Sequence, residues 1–257
     1  MDKELRVQSL ERAFKILEIL SEEKEGLGVT EISRITSLHK STVHRFLRDL
    51  EILNYVEKDE KTDKYKLGIK ILQLAGRFLD HMDIRDQAKD SIKELADITG
   101  ETVHLVIYNK KEAVYIDKID SKKTIRMHSQ IGKTIPMHAS AVGKAILSHL
   151  SEEEKEKIIK RGLPAFTPNT LVDPERLREE LEEVRRRGFA FDNEENEEGI
   201  RCIAAPIFDY TGSVVAAVSI SGPKFSITQD RIEELSKLVK NCAERISEKL
   251  GFTKKKQ

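Results

Sequence analysis

The first part of the chain carries apolar residues at helical spacing, with charged residues between them. The pattern predicts an amphipathic helix over 8–21, a short helix around Ile32 and a longer helix over 40–53. Gly26 and Gly28 separate the first two helices. The positions expected to face a core are Leu10, Ala13, Phe14, Leu17 and Leu20 in the first helix, Val29, Ile32 and Ile35 in the second, and Val43, Phe46, Leu47, Leu50 and Leu53 in the third.

Two short apolar stretches follow, at 55–57 and 64–67. The charged sequence KDEKTD between them suits a turn, so the two stretches predict a β-hairpin. Three helices and a hairpin within roughly 70 residues are typical of a winged helix-turn-helix. We therefore expect a domain of this kind over 6–67.

The rest of the chain mixes helical and strand patterns. Residues 68–82 predict a helix that links two domains, and a further helix over 83–99 ends at Gly100. Strands in adjacent groups, with helices at the ends, indicate an α+β domain over 83–252 on an antiparallel sheet. The basic tail, 253–257, is expected to fray. The predicted strands are 103–108, 113–119, 124–129, 188–192, 200–209 and 213–221, and the predicted helices are 141–150, 152–161, 174–187 and 228–250.

The composition narrows the class of protein. No run of about 18 apolar residues is present, so no transmembrane helix is expected, and the amino-terminal segment lacks the apolar core of a signal peptide. Cys202 and Cys242 are too few for a disulfide framework, which fits a reducing compartment. We expect a cytoplasmic protein without membrane contact.

The charge is balanced overall, with 45 basic and 45 acidic side chains, but residues 34–48 contain four Lys or Arg and no acid. The third helix would therefore present a cationic face to the DNA major groove, with short hydroxyls near its start and arginines suited to guanine. The other interpretation is the solvated face of an ordinary helical domain. The residues expected to contact DNA are Arg34, Lys40, Ser41, Thr42, His44, Arg45 and Arg48.

A candidate ligand site lies in the second domain. Ser140 is placed to cap the following helix, so the amide groups of Ala141 and Val142 would lie in its first turn, where the helix dipole favours an anion. Two serines of the 213–221 strand alternate with apolar residues and so point to one face. A carboxylate, a thiol and two hydroxyls opposite this helix would suit a small hydroxylated or oxo carboxylate. These groups belong to Asp192, Cys202, Ser219 and Ser221.

Each of these residues also has a simpler interpretation. A buried cysteine is usually a small hydrophobic side chain, and strand serines usually hydrogen-bond to the backbone. No His or Cys pair has zinc-ligand spacing, so satisfied or exposed histidines, and no metal, are expected. The acidic run over 193–198 suits either a solvated loop or a lid over the site.

Two separate stretches of the chain resemble a known family. AFKILEIL, VTEISRITSLHKSTVHRFLRDLEILNYVEKD and YKLG are similar to the amino-terminal domain of IclR-type bacterial transcriptional regulators. In the second half, residues 188–209 follow the spacing G-x3-D-x2-E-x6-C-I-A-x2-I-F-D that marks this family, and IGKTIPMHASAVGKAIL is similar to its effector-domain motif. The resemblance covers residues 6–252.

The resemblance implies a winged helix-turn-helix, a linker helix and a GAF-like effector-binding domain, with no cofactor. It also implies that the amides of Ala141 and Val142 hold a carboxylate, although relatives that bind glyoxylate or pyruvate often have Gly-Ala at this pair. The stretch VYIDKIDSKKTIRMHSQIGK is most similar to the subgroup that regulates the catabolism of 2-keto-3-deoxygluconate and related sugar acids. Polar contacts are implied for Asp192, Cys202, Ser219 and Ser221, and apolar walls for Met127, Ile135 and Ile200.

These observations support two hypotheses of different classes. The first is a transcriptional regulator controlled by a small carboxylate: a repressor, not an enzyme, that binds a palindromic operator in double-stranded DNA as a dimer or a dimer of dimers. An activator would use the same residues in the same roles. The second is a cysteine-dependent enzyme or redox sensor, in which nearby cations would have to depress the pKa of the Cys202 thiol. Arg201 is adjacent, but in a strand it points to the opposite face.

Overall fold

The computed structural model of the chain describes residues 7–80, 83–109, 112–122 and 129–253. The chain divides into two compact units, Met1–Met82 and Asp83–Gln257. In the described residues, no helix is both long and apolar enough to cross a bilayer.

The first unit is a helix-turn-helix followed by a β-hairpin. It contains the helices α1 (Gln8–Glu22), α2 (Val29–Thr36) and α3 (Lys40–Ile52), the strands β1 (Val56–Asp59) and β2 (Lys64–Leu67), and the helix α4 (Ile69–Asp80). The two strands pair antiparallel, and Leu27 forms an additional bridge to Tyr65 of β2. The winged helix-turn-helix expected from the sequence is confirmed.

Local hydrogen bonds shape the turn between α2 and α3. The Gly28 amide donates to Glu31 Oε2 at 2.8 Å and so caps the start of α2. At the other end Ser37 has a left-handed backbone, with φ of 57°, and Ser33 Oγ donates to the Leu38 carbonyl at 2.6 Å. The chain therefore leaves α2 and enters α3 in one defined direction.

The core of the first unit lies between α1, α2, α3 and the hairpin. Its buried side chains are Ile16, Ile19, Leu20, Leu27, Ile32, Val43, Leu47, Leu50, Val56 and Tyr65. The sequence prediction is wrong for four positions that are exposed, namely Leu10, Phe14, Ile35 and Leu53. Burial in α1 is confined to its second half, because a unit of this size is too small to cover the whole length of its helices.

The second unit is an antiparallel sheet covered by helices. Its elements in chain order are α5 (Ile84–Thr99), β3 (Thr102–Asn109), β4 (Glu112–Ile119), β5 (Thr134–Ile135), α6 (Ala141–Leu147), α7 (Glu152–Ile159), α8 (Pro174–Arg187), β6 (Ala190–Asn193), β7 (Ile200–Phe208), β8 (Val214–Pro223) and α9 (Ile232–Lys249). The strands stand in the order β5-β4-β3-β8-β7-β6, and all neighbours are antiparallel. The α+β fold class is therefore confirmed.

Both faces of this sheet are buried. Val106, Ala204 and Ala217 belong to one cluster with the apolar residues of α6, α7 and α8. The alternate residues, such as Ile203 and Ile220, are also fully buried, and they point to the opposite face, where α5 and α9 pack. The cluster with α6 is the one that contains the candidate ligand site.

The predicted and observed elements differ at a few points. Most of the predicted strand 124–129 falls outside the described residues, and β5 is too short to leave a periodic signal in the sequence. Gly188, with φ of 77°, ends α8 in a left-handed turn, so β6 begins two residues later than expected. A 3₁₀ turn at Gln229–Arg231 takes the place of the first turn of the predicted final helix.

Candidate DNA-binding surface and effector pocket

The helix α3 places the predicted DNA-contacting side chains on its exposed side. Val43, Leu47 and Leu50 are buried in the core, and the residues between them point away from it. Lys40, Ser41, His44, Arg45 and Arg48 are exposed, Thr42 is partly exposed, and Arg34 is exposed on α2. These seven residues form a surface that we call the basic face.

The cations of the basic face form only weak interactions with other described residues of the protein. Arg48 Nε lies 3.9 Å from Asp49 Oδ1, but both side chains are more than half exposed, so this ion pair is weak. The Arg45 guanidinium lies 5.9 Å from the centre of the Phe46 ring, which orients the guanidinium without neutralising it. The first turn of α3 has no side-chain cap, so its amide groups can also donate to a phosphate.

The register of the second sheet brings the predicted polar residues together. Asp192 pairs with Cys202, and Cys202 pairs with Ser221, so β6, β7 and β8 place the three in one row. Ser219 lies two residues before Ser221 on β8, and there it pairs with His104 of β3. Directly paired residues, and residues two apart on one strand, share a face of the sheet. All five side chains therefore point toward α6.

These side chains line a cavity of about 250 Å³ between the sheet and the start of α6. Ser140 Oγ accepts from the Gly143 amide at 3.1 Å and caps the helix. The amides of Ala141 and Val142 have no hydrogen-bond acceptor among the described residues. The predicted residues that line the cavity are Ile135, Ala141, Val142, Asp192, Ile200, Cys202, Ser219 and Ser221. The predicted wall residue Met127 lies outside the described residues.

The cavity also contains polar residues that were not among the predicted effector contacts. They include His104, Tyr115, Ser129, Lys133 and Asn196. The sequence shows that His104 alternates with Val106, so the two share a face of β3. It does not show which strand is the neighbour: Ser221 lies 117 residues further along the chain. In the described part of the chain, no group of three or more His, Cys, Asp and Glu is arranged to hold a metal ion.

Two acidic residues, Asp192 and Glu197, line the cavity. Asp192 is the more deeply buried of the two and is only 2% exposed. Burial, followed by repulsion from the Glu195 carboxylate, raises the pKa of Asp192 to about 7. The Glu195 amide donates to Asp192 Oδ1 at 2.7 Å, and this hydrogen bond opposes the rise. Near neutral pH the side chain therefore changes between a carboxylic acid that donates a hydrogen bond and a carboxylate that only accepts.

The Cys202 thiol has surroundings that keep it protonated. Burial raises its pKa well above the ordinary value, and the Asp192 carboxylate raises it further. The Arg201 guanidinium, the nearest cation in sequence, donates to Asn193 Oδ1 at 2.9 Å instead. A reactive cysteine needs the opposite surroundings, so this thiol is suited to line a cavity rather than to act as a nucleophile.

A buried lysine supports the cavity from behind. Lys144 of α6 is 1% exposed, and its ammonium donates to the Phe191 carbonyl at 2.7 Å and to Glu195 Oε1 at 2.5 Å. Glu180 Oε1 of α8 lies 3.6 Å from the same nitrogen. Because the Glu195 amide holds Asp192, Lys144 connects α6 to the acidic wall of the cavity. The sequence signal for this role is one lysine within the apolar stretch AVGKAIL.

Comparison with known proteins identifies the family. The family model of the IclR helix-turn-helix domain matches residues 9–60, and that of the bacterial transcriptional regulator IclR C-terminal domain matches residues 76–248. The chain belongs to the IclR family. The family assignment made from the sequence motifs is confirmed, and members of the IclR family are transcriptional regulators rather than enzymes.

Individual IclR-family proteins match nearly the whole chain. The HTH-type transcriptional regulator KdgR of Escherichia coli K12 is 38% identical over 247 residues, which cover 96% of this chain and 94% of KdgR. The crystal structure of the Thermotoga maritima IclR is 38% identical, has a TM-score of 0.65, and the match covers 95% of this chain and 99% of that one. The Agrobacterium tumefaciens repressor BlcR is 29% identical, with a TM-score of 0.83 and coverages of 97% and 99%.

Proposed function

We propose that this regulator is a sequence-specific repressor whose affinity for operator DNA is controlled by a small carboxylate bound in the cavity of the second unit. The observation that carries the proposal is the combination of an exposed basic face on the second helix of a helix-turn-helix with a polar cavity in a separate unit. In this class of domain the second helix enters the major groove. The seven residues of the basic face would make the DNA contacts.

The cavity suits a carboxylate that also carries oxo or hydroxyl groups. The free amides of Ala141 and Val142 would hold the carboxylate, and Ile135 and Ile200 would contact its carbon chain. The oxo and hydroxyl groups would meet the remaining polar side chains, which are Asp192, Cys202, Ser219 and Ser221. The similarity of the chain to regulators of 2-keto-3-deoxygluconate catabolism makes this sugar acid the first candidate.

Repression would require two copies of the chain on a palindromic operator, because one winged helix contacts only a short half-site. The helices α1 and α4 of the first unit carry exposed apolar side chains, including Phe14 and Leu72, that favour association with a second copy. The helix over 68–82 would act as the linker between the two domains.

A bound effector shifts the spacing of the two DNA-binding units only by its differential affinity for the two arrangements. Such a protein would act in the cytoplasm, where its operator is.

Two alternatives to a repressor fit the structure unequally. An activator would use the same basic face and the same cavity, because the sign of regulation depends on where the operator lies relative to the promoter. A redox sensor or enzyme based on Cys202 is disfavoured by the raised pKa of its thiol and by the acidic neighbour Asp192.

The division of labour between the two units can be tested by one substitution in each. We expect Arg45→Ala to weaken binding to a duplex selected by the protein from a random pool by at least about tenfold, the effect of one lost bidentate guanine contact, and to leave effector affinity unchanged. Arg176→Ala removes the same charge from an exposed position of the second unit and is expected to change neither. Fluorescence anisotropy measures the first quantity and calorimetry the second. Equal loss of both in folded Arg45→Ala would contradict the proposal.

The complementary substitution is Cys202→Ala combined with Ser221→Ala. It removes two polar groups from the cavity, so effector affinity is expected to fall by about tenfold or more while DNA affinity without effector stays the same. Ser236→Ala with Cys242→Ala makes the same chemical change at two buried positions outside the cavity. This control is expected to keep the effector affinity. If the cavity variant also keeps it, the proposed pocket is wrong.

Effector binding is expected to depend on pH through Asp192. An anionic effector binds more readily when Asp192 is protonated, and its pKa of about 7 puts this change near neutrality. Affinity should therefore rise as the pH falls from 8 to 6, and Asp192→Asn, which is always neutral, should remove most of the dependence. Calorimetry at pH 6 and at pH 8 measures the effector affinity of each protein. An equal pH dependence in the two proteins would show that another group titrates.

A further inference from the structure

His104 occupies an unusual position on the wall of the cavity. The residue is 2% exposed, and both ring nitrogens face a serine hydroxyl. Nε2 lies 2.7 Å from Ser129 Oγ, and Nδ1 lies 3.3 Å from Ser221 Oγ. The three side chains therefore form a continuous hydrogen-bonded row along the sheet side of the cavity, which faces the start of α6.

The imidazole in this row is neutral. Burial is the main cause that lowers the pKa of His104, to about 3, and the ammonium of Lys118 lowers it further. Tyr115 packs beside it, with 5.0 Å between ring centres, and burial raises the pKa of this phenol, so it is neutral as well. This wall consequently carries hydrogen-bonding groups without charge.

A neutral imidazole gives the row a fixed polarity. One ring nitrogen carries a proton and donates, and the other accepts. The serine that accepts from the ring keeps its own proton for another partner, whereas the serine that donates to the ring keeps only its lone pairs. In either tautomer one serine is left as a donor and the other as an acceptor.

Different effector groups satisfy this wall to different extents. An oxo or carboxylate oxygen only accepts, so it satisfies the donor serine and leaves the other serine unpaired. A methylene group satisfies neither, and unpaired polar groups in a closed site are costly. Hydroxyl groups both donate and accept, so a chain with neighbouring hydroxyls can satisfy both serines.

From this geometry we propose that His104, Ser129 and Ser221 form a hydroxyl-recognition subsite that selects a polyhydroxylated carboxylate over an acid of the same length without hydroxyls. Ser129 and Ser221 contact the ligand, and His104 is a positioning residue that sets which serine donates. The inference rests on the proposed function and specifies the chemical class of the effector. It assigns the hydroxylated part of the ligand to the wall opposite the amides of Ala141 and Val142.

The test compares matched acids by calorimetry. The pairs are 2-keto-3-deoxygluconate with 2-oxohexanoate, and gluconate with hexanoate; within each pair the carboxylate and the chain length are the same. We expect at least one hydroxylated acid to bind the unmodified protein about 100-fold or more tightly than its partner, because a site built around a hydroxyl rejects the analogue that lacks it. The ratio of the two dissociation constants is the readout, since a general loss of structure would weaken both acids.

Substitutions then test whether His104 and Ser129 cause the preference for the hydroxylated acid. His104→Phe is expected to reduce the ratio by about tenfold and to leave the affinity for 2-oxohexanoate nearly unchanged, and His104→Gln, whose amide keeps a donor and an acceptor, should restore part of the ratio. Ser129→Ala tests the same wall without changing a buried ring and should also lower the ratio. His149→Phe replaces a partly buried histidine outside this cavity and should leave the ratio unchanged.

The possible outcomes distinguish a failure of the proposed subsite from a failure of the proposed function. If 2-oxohexanoate or hexanoate binds and releases operator as well as its hydroxylated partner, the hydroxyl subsite is wrong and the carboxylate-controlled repressor stands. An unchanged ratio in both His104→Phe and Ser129→Ala also overturns the subsite. If none of the four acids binds, the subsite is overturned, and a wider screen in which no carboxylate releases operator then overturns the proposed function as well.

Discussion

Replacing Lys144 by Met is expected to lower the free energy of unfolding by about 3–5 kcal/mol, the usual effect of leaving a buried charge without its partner. The ammonium is 1% exposed and neutralises Glu195, whose side chain is 8% exposed. Glu195 Oε2 already has no hydrogen-bond partner among the described residues. Without Lys144, the carboxylate would have to stay buried and unpaired or bind a proton.

The pH dependence gives this expectation a clear sign. Burial already raises the pKa of Glu195, and the ammonium of Lys144 is the largest influence that lowers it again. In Lys144→Met the folded-state pKa would rise further above its unfolded value. A carboxyl group of this kind favours folding when protonated, and that contribution is lost as the pH rises through the folded-state pKa. The variant should therefore lose more stability at pH 8 than at pH 5.

Urea denaturation of matched variants measures the effect. Lys157→Met removes a lysine from the exposed pair with Glu153, and its expected cost is under about 1 kcal/mol. Adding Glu195→Gln to Lys144→Met removes the unpaired charge and should recover most of the lost stability. A Lys144→Met protein as stable as Lys157→Met, or a double variant no more stable than the single one, would show that the ion pair does not support the cavity.

Gly143→Ala is expected to weaken effector binding at least about tenfold in a protein that still folds. A Cβ atom at this position would lie 2.4 Å from the Met137 carbonyl oxygen and 2.6 Å from that of Pro136. Both contacts are to backbone, so the start of α6 or the segment before it must move, at a cost of about 1–3 kcal/mol. This displacement shifts the amides of Ala141 and Val142, which are proposed to hold the carboxylate.

Calorimetry with 2-keto-3-deoxygluconate and a thermal unfolding curve test this prediction together. Gly28→Ala is the control, because its Cβ would meet nothing closer than 3.5 Å, the distance to Glu31 Oε2. The control is expected to bind effector normally, whereas Gly143→Ala should lose at least about tenfold in affinity, as a displaced hydrogen-bonding site does. Normal binding by Gly143→Ala would mean that the start of α6 does not contact the effector.

Local sequence patterns were sufficient to predict the first unit and the position of its basic face. The helical period of α3 and the absence of acids over 34–48 separate the buried stripe from the exposed cations without any tertiary information. The same reasoning was wrong for Leu10 and Phe14, because a helical period shows that one stripe of α1 is apolar but not how much of its length the small domain covers.

The cavity was only partly predictable. Ser219 and Ser221 share a face through the simple alternation of a strand, and Ser140 is recognisable as a helix cap. His104 could not be placed, because its neighbours come from the pairing of β3 with β8, which are distant in sequence. Lys144 shows the same limit: a lysine in an apolar helix signals a buried partner, but only the fold shows that the partner is Glu195.

The central claim is that a ligand in the second unit controls DNA binding by the first. The most direct measurement is the fluorescence anisotropy of a labelled operator duplex, selected by the protein itself, titrated with protein in the absence and presence of saturating 2-keto-3-deoxygluconate or gluconate. We expect operator affinity to fall at least about tenfold with effector, which corresponds to a coupling free energy of about 1.4 kcal/mol. The variant that carries both Cys202→Ala and Ser221→Ala should need at least about ten times more effector for the same fall. An operator affinity that no bound acid changes in the unmodified protein would contradict the account.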